Sequence, residues 1–176
     1  MQRILDLDTQ LTQMFAGLEN VAHSLSFEPL GNLLEVDHEA IRFPGLYLIE
    51  IRVDPERQPD IESWMTDFKT AWDREEFKKS FVPSCQKARM KRHLKLQEWM
   101  PVYLGKSKKV GHRVWEHLHL EAEKSTFALK LKAHDLLGGN QLRLSVLRLP
   151  VVNYDVLAPK LEAAMRRKFH PLVGRQ

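Results

Sequence analysis

Apolar and polar positions alternate in distinct periods along the chain, and the period changes several times. Ile4, Leu7, Leu11, Met14, Phe15, Leu18, Val21 and Ala22 recur at helical spacing, which predicts an amphipathic helix over about 3–25. Its stripe is open to two readings, core packing or a dimer seam, and packing is the expectation. Phe27 to Asn32 holds Pro29 and Gly31 and reads as a loop. From Gly45 the period becomes two: Tyr47, Ile49, Ile51 and Val53 alternate with Leu46, Leu48, Glu50 and Arg52, a strand signal. Ile61, Trp64, Met65, Phe68 and Trp72 predict a second amphipathic helix that runs into Asp73–Lys79 and closes at Pro83.

A basic stretch from Gln86 leads into Trp99–Gly105, a short strand of buried character. Helices are predicted over Val110–Leu120 and Thr126–Leu137, a third strand over Gln141–Leu149, and a last helix from Asp155 through Phe169. The class is therefore α+β. It comprises a small three-stranded antiparallel sheet flanked by helices, an N-terminal helical extension over 1–40, and a main domain over 41–176 with a helical insertion at about 54–98.

Charge sharpens this picture. The net +4 divides into −7 over residues 1–60 and +11 over the remainder. Between 87 and 113, Lys87, Arg89, Lys91, Arg92, Lys95, Lys106, Lys108, Lys109 and Arg113 are opposed only by Glu98. Such a concentration suits a phosphate backbone, although a solvated basic face has the same composition. Apolar runs fall short of a membrane span, and the single cysteine, Cys85, excludes an internal disulfide and a thiolate zinc site. A cytoplasmic location is the default expectation.

Two tripeptides, Gly45-Leu46-Tyr47 and Tyr103-Leu104-Gly105, resemble the strand motifs of the GIY-YIG endonucleases. Behind the second, Arg113 opens a helix where that family places its arginine, and His117 follows one turn later on the same face. Glu162, with Arg166, Arg167 and Pro171 after it, is similar to the family's glutamate, basic helix and proline. The sequence departs from the pattern twice. Residues 48–102 separate the two strand motifs where the family usually has a short turn, and Gly174 follows Pro171-Leu172-Val173 where an asparagine is often found.

The resemblance implies an endonuclease acting on DNA, RNA not being excluded, with a restriction or phage-defence role by analogy. It implies Mg²⁺ or Mn²⁺ held by Glu162, Tyr47 as the base, Tyr103 positioning water or phosphate, and catalytic parts for Arg113 and His117. The residue types suit hydrolysis of a phosphodiester. A lone carboxylate holds a hydrated divalent ion, a guanidinium matches two phosphate oxygens, and an imidazole positions a tyrosine or relays a proton. Lys87, Arg89, Lys91, Arg92, Lys95, Lys106, Lys108 and Lys109 would grip the backbone. With one site per chain, cutting both strands calls for a homodimer or two events, and the N-terminal stripe offers a surface.

Two readings from other classes stand beside this one: a catalytically silent nucleic-acid-binding module, and a protein-interaction subunit docking through its acidic first sixty residues. His117-Leu118-His119 with Glu121 and Glu123 does not form a metal site, because helical positions two apart point in different directions. Ser80 and Ser125 lack a base at informative spacing, and no Walker-type phosphate loop is present.

Overall fold

Strand β2, Gly45–Arg52, is the backbone of the architecture. In the computed structural model, which describes residues 1–57, 60–77, 82–134 and 141–174, seven of its eight residues are buried. Both of its faces are covered, so its apolar residues alternate between two cores. Tyr47, Ile49 and Ile51 belong to one, and Leu46 and Leu48 to the other. Antiparallel neighbours lie on either side: β4, Trp99–Ser107, and β5, Leu142–Arg148.

The sheet has four strands, correcting the expected three, in the order β1-β5-β2-β4. The added strand, β1 (Glu28–Asn32), falls in the segment read as a loop. Pro29 and Gly31, the signals for that reading, sit at an edge, where a missing N–H and a positive φ of 97° are tolerated. They coincide with a register shift against β5.

Helices cover the two faces. α4, Val110–His119, places Val110, Val114 and Leu118 in the core of Tyr47 and Ile49. α5, Tyr154–Phe169, places Ala158, Leu161 and Met165 in the core of Leu46, Leu48 and Leu104. Asp155, read as its cap, lies in the first turn and takes the ammonium of Lys108 at 2.8 Å. α1, Gln2–Ser24, joins the second face only near its end, where Ala22 is buried.

In the insertion, α2 (Ile61–Trp72) is capped by Asp60, which accepts from the N–H groups of Glu62 and Ser63. Trp64, Phe68 and Trp72 are buried in the main core. They stack in succession with centroids 5.5 and 6.0 Å apart. Beyond a 3₁₀ turn at Glu75–Phe77, a two-residue strand β3, Ser84–Cys85, pairs with β6, Val173–Gly174. The short helix α3, Lys87–Met90, follows β3.

The helix expected over Thr126–Leu137 is absent from its described part, 126–134; residues 135–137 lie outside the described residues. Its backbone donors go elsewhere. The N–H of Leu131 bonds to the His117 carbonyl and that of Lys132 to the Leu118 carbonyl. Lys130 takes a φ of 53°, and its fully buried ammonium donates to the carbonyls of Ala122 and Lys124. The segment is a buried strap over α4, and burial of Ala128, Leu129 and Leu131 accounts for its apolar spacing.

Candidate active site

At the β4 edge of the sheet, groups from both helical layers meet in a cavity of about 220 Å³. That is far above the ~10–15 Å³ that admits one water. Tyr47 from β2, Tyr103, Leu104 and Lys106 from β4, Arg113 from α4, Phe127 from the strap, Glu162 and Arg166 from α5 and Gly174 from β6 line it. The two phenols, the guanidinium and the distant carboxylate singled out in the sequence therefore share one pocket.

Their closeness depends on Gly105. It lies directly opposite Tyr47 in the β2–β4 ladder. A Cβ there would come within 2.6 Å of the Tyr47 ring and 2.8 Å of the Tyr103 ring. The missing side chain is the space the two phenols use, with centroids 6.1 Å apart.

His117, fully buried, stands behind Tyr47 outside the cavity lining, its Nε2 at 2.7 Å from the Tyr47 hydroxyl. The Leu129 N–H donates to His117 Nδ1 at 2.9 Å, so that nitrogen carries a lone pair. Burial, with Arg113 adding to it, holds the imidazole pKa well below 6.5, so the ring is neutral and its proton is on Nε2. His117 thus donates to Tyr47 oxygen. It positions that phenol and, in this tautomer, cannot accept its proton.

Burial pushes the Tyr47 phenol well above 10, and the neighbouring Tyr103 adds to this while Arg113 opposes it. Tyr103 is raised as well, again through burial, with Arg113 pulling the other way. Both rings are phenols at neutral pH.

Arg113 is fixed from two sides. It pairs with Glu116 at 2.6 Å, one turn along α4, and donates to the Phe127 carbonyl of the strap. Glu162 is 9% exposed and receives Arg166 at 2.9 Å and Lys106 at 3.8 Å. Three cations and one carboxylate therefore line the pocket, a formal charge of +2. Among the described residues no group of three or more His, Cys, Asp or Glu side chains forms a metal cage. Any divalent ion here would rest on Glu162 and keep most of its water, which suits Mg²⁺ or Mn²⁺ and not a cation needing many protein ligands.

Arg166 entered the sequence reading only as part of the basic helix after Glu162, without a place in the site; Glu116 and the strap contacts were not picked out. The first had a signal: it lies four positions after Glu162, on the same helical face. The strap had none.

The basic stretch lies beside this pocket. Gln86 N–H donates to the Leu172 carbonyl and its side-chain amide to the Gly174 carbonyl, while His93 Nε2 donates to the His170 carbonyl. These bonds tie the stretch to β6, whose Gly174 lines the cavity. Arg89 Nη1 stands 3.0 Å from where a Cβ of Gly174 would be. Lys87, Lys91, Arg92 and Lys95 are exposed, as are Lys108 and Lys109. No helix among the described residues is long and apolar enough to cross a membrane. No family model, curated protein or solved structure matches the chain.

Proposed function

We propose that this protein is a metal-dependent endonuclease of the GIY-YIG type that hydrolyses phosphodiester bonds in DNA. One observation carries the reading: Tyr47, Tyr103, Arg113 and Glu162, from four separate elements, line a single cationic cavity. Lys106, Arg113 and Arg166 offer charge to the non-bridging oxygens of a phosphate, the electrostatic stabilisation such a displacement needs. Tyr47, held by His117, orients the attacking water and accepts its proton once ionised. Tyr103 lies alongside to contact water or phosphate. Glu162 is the residue that would hold Mg²⁺ or Mn²⁺, which supplies Lewis acidity toward the phosphate and the leaving oxygen. Arg166 and Lys106, which pair with Glu162, line the same cavity and so stand where a phosphate on the Glu162 metal would lie. The exposed cations from Lys87 to Lys95 hold flanking phosphates without reading bases.

A second reading, a catalytically silent nucleic-acid-binding module, draws on the same ion pairs, since Glu162 and Arg113 are both already engaged. Plasmid incubated with the protein and Mg²⁺ or Mn²⁺ separates the two. Cutting by the wild type, and by neither Glu162→Ala nor Arg113→Ala, supports the nuclease. Binding by all three with no cutting by any supports the silent module.

A further inference from the structure

Every residue from Met1 to Met14 is exposed, although Gln2–Ser24 is one continuous helix. α1 meets the body only in its second half. Lys160 Nζ lies 4.7 Å over the Phe15 ring, Glu19 pairs with Arg167, and Lys168 donates to the carbonyls of His23 and Leu25. The free part is about the length at which a lone helix is marginal in water. It needs a partner.

The spacing of its apolar residues indicates which kind. Ile4, Leu7, Leu11, Met14, Leu18 and Val21 are separated by alternating steps of three and four, an a/d heptad repeat held over three heptads. A repeat of 3.5 is the signature of a helix that supercoils with another, and a stripe serving only a straight helix drifts away from it. Five of the six are open to solvent: Ile4 64%, Leu7 59%, Leu11 45%, Met14 66% and Val21 50%. Leu18 is half-buried against the body, and Phe15 and Ala22, at the e positions of the later heptads, face α5. The body thus occupies one flank of the seam and leaves the other free. On that side Gly17, at g, has nothing within 4 Å of where its Cβ would be.

We propose that α1 pairs with α1 of a second copy of this chain as a parallel, in-register coiled coil seamed by Ile4, Leu7, Leu11, Met14 and Val21. Charge selects both the occupant and its direction. In this frame Arg3 is a g residue and Asp8 is the e residue five positions on, the two that face each other across a parallel pair. Two-fold symmetry makes the contact twice. Within one chain neither side chain has an ion-pair partner among the described residues. An antiparallel pair sets g against g and e against e, and loses both contacts. Ile4 at a with Leu7 at d also suits a two-stranded coil. The pairing stands apart from the nuclease reading, to which it would add a second cavity for the second strand of a duplex.

Sedimentation velocity on the full chain across the micromolar range tests it. The wild type is expected to be a dimer, and Leu11→Asp to weaken it by roughly a hundredfold or more. That variant should lose helical signal from α1 alone and keep its thermal transition. Arg3→Asp should weaken the dimer several-fold, and Arg3→Asp combined with Asp8→Arg should restore it. In a Cys85→Ser background, Leu7→Cys should cross-link to a covalent dimer on oxidation, because in-register d positions meet. A monomer at every concentration overturns the proposal. So does a dimer indifferent to Leu11→Asp, a charge swap that restores nothing, or an exposed stripe that binds vesicles without self-association. A monomeric wild type that still nicks plasmid would remove the dimer and leave the nuclease. A dimer that cuts nothing would do the reverse.

Discussion

Glu162→Gln exchanges one oxygen for an amide nitrogen and raises the formal charge of the cavity lining from +2 to +3, since Lys106, Arg113 and Arg166 remain. Its effect on stability is expected to be small. The side chain keeps its volume and one acceptor for Arg166. What disappears is the charge in an i,i+4 pair at 2.9 Å and in a long contact from Lys106 at 3.8 Å. An i,i+4 pair of this kind is worth ~0.3–1 kcal/mol, or about 1–4 °C in a chain of this size. The effect on cleavage is expected to be large, a loss of about 10³-fold or more, equivalent to ~4 kcal/mol in the barrier. The effect on binding should have the opposite sign. A phosphate about 4 Å from a newly unopposed cation gains ~1–4 kcal/mol, the lower end applying to a wet pocket. DNA affinity measured by anisotropy in chelator at fixed salt should therefore tighten several-fold. Plasmid nicking in Mg²⁺ or Mn²⁺ and thermal unfolding complete the assay. Cleavage within about tenfold of wild type, or affinity that falls, would refute the assignment of Glu162 as the lone anionic group of the site.

Four further outcomes follow from the geometry. Burial lowers His117 well below 6.5 and takes His134, stacked against Trp72 at 4.5 Å, to about 4. The unfolded chain therefore binds protons that the native chain refuses. Stability is complete above pH ~6.5 and is lost below it, by ~1.4 kcal/mol per unit for His134 down to about 4, with His117 acting in the same direction; a urea midpoint unchanged between pH ~6.5 and ~5 sinks this. If Tyr47 acts as the base, its raised pKa makes the cleavage rate climb about tenfold per pH unit from ~7 to ~9. A plateau below pH ~8 excludes it. Gly105→Ala, pressed against both phenols, should cost ~1–3 kcal/mol and abolish cutting, whereas Gly17→Ala in open space should gain ~0.5–1 kcal/mol, both read by thermal unfolding. Lys87→Ala with Lys91→Ala and Arg92→Ala should lower the slope of log affinity against log salt by up to about 3 and leave single-turnover cleavage intact at saturation.

The strands were legible where burial is strict. β2 alternates between two cores, and its sequence shows that alternation openly. β1 was not, because only Leu30 of its five residues is even half-buried and the pattern carries no period. Core packing, the expected one of two readings of the N-terminal stripe, holds only for its last turns, since residues 1–14 are exposed. In the site, the i,i+4 relation of Arg113 and His117 is local, and local relations survive in sequence; the pairing of Tyr47 with Gly105 joins two distant strands, and the sequence showed only the two motifs that carry them. The placement of Glu162 beside them is not local and entered only through the resemblance to a family.

What sequence withholds most completely is the direction of a hydrogen bond. A histidine one turn after an arginine can donate or accept, and His117 was open to both roles. The strap decides between them, since Leu129 N–H occupies Nδ1 and leaves Nε2–H for Tyr47. Yet 126–134 is the very segment whose apolar spacing imitates a helix. Had it been one, Leu129 N–H would have bonded within its own turn, and the imidazole would have been free to take either tautomer. The buried Lys130 ammonium, anchored on the carbonyls of Ala122 and Lys124, holds the strap out of that alternative. The chemistry of the Tyr47 hydroxyl is therefore set by a lysine that never touches it, through two backbone carbonyls, one amide and one ring.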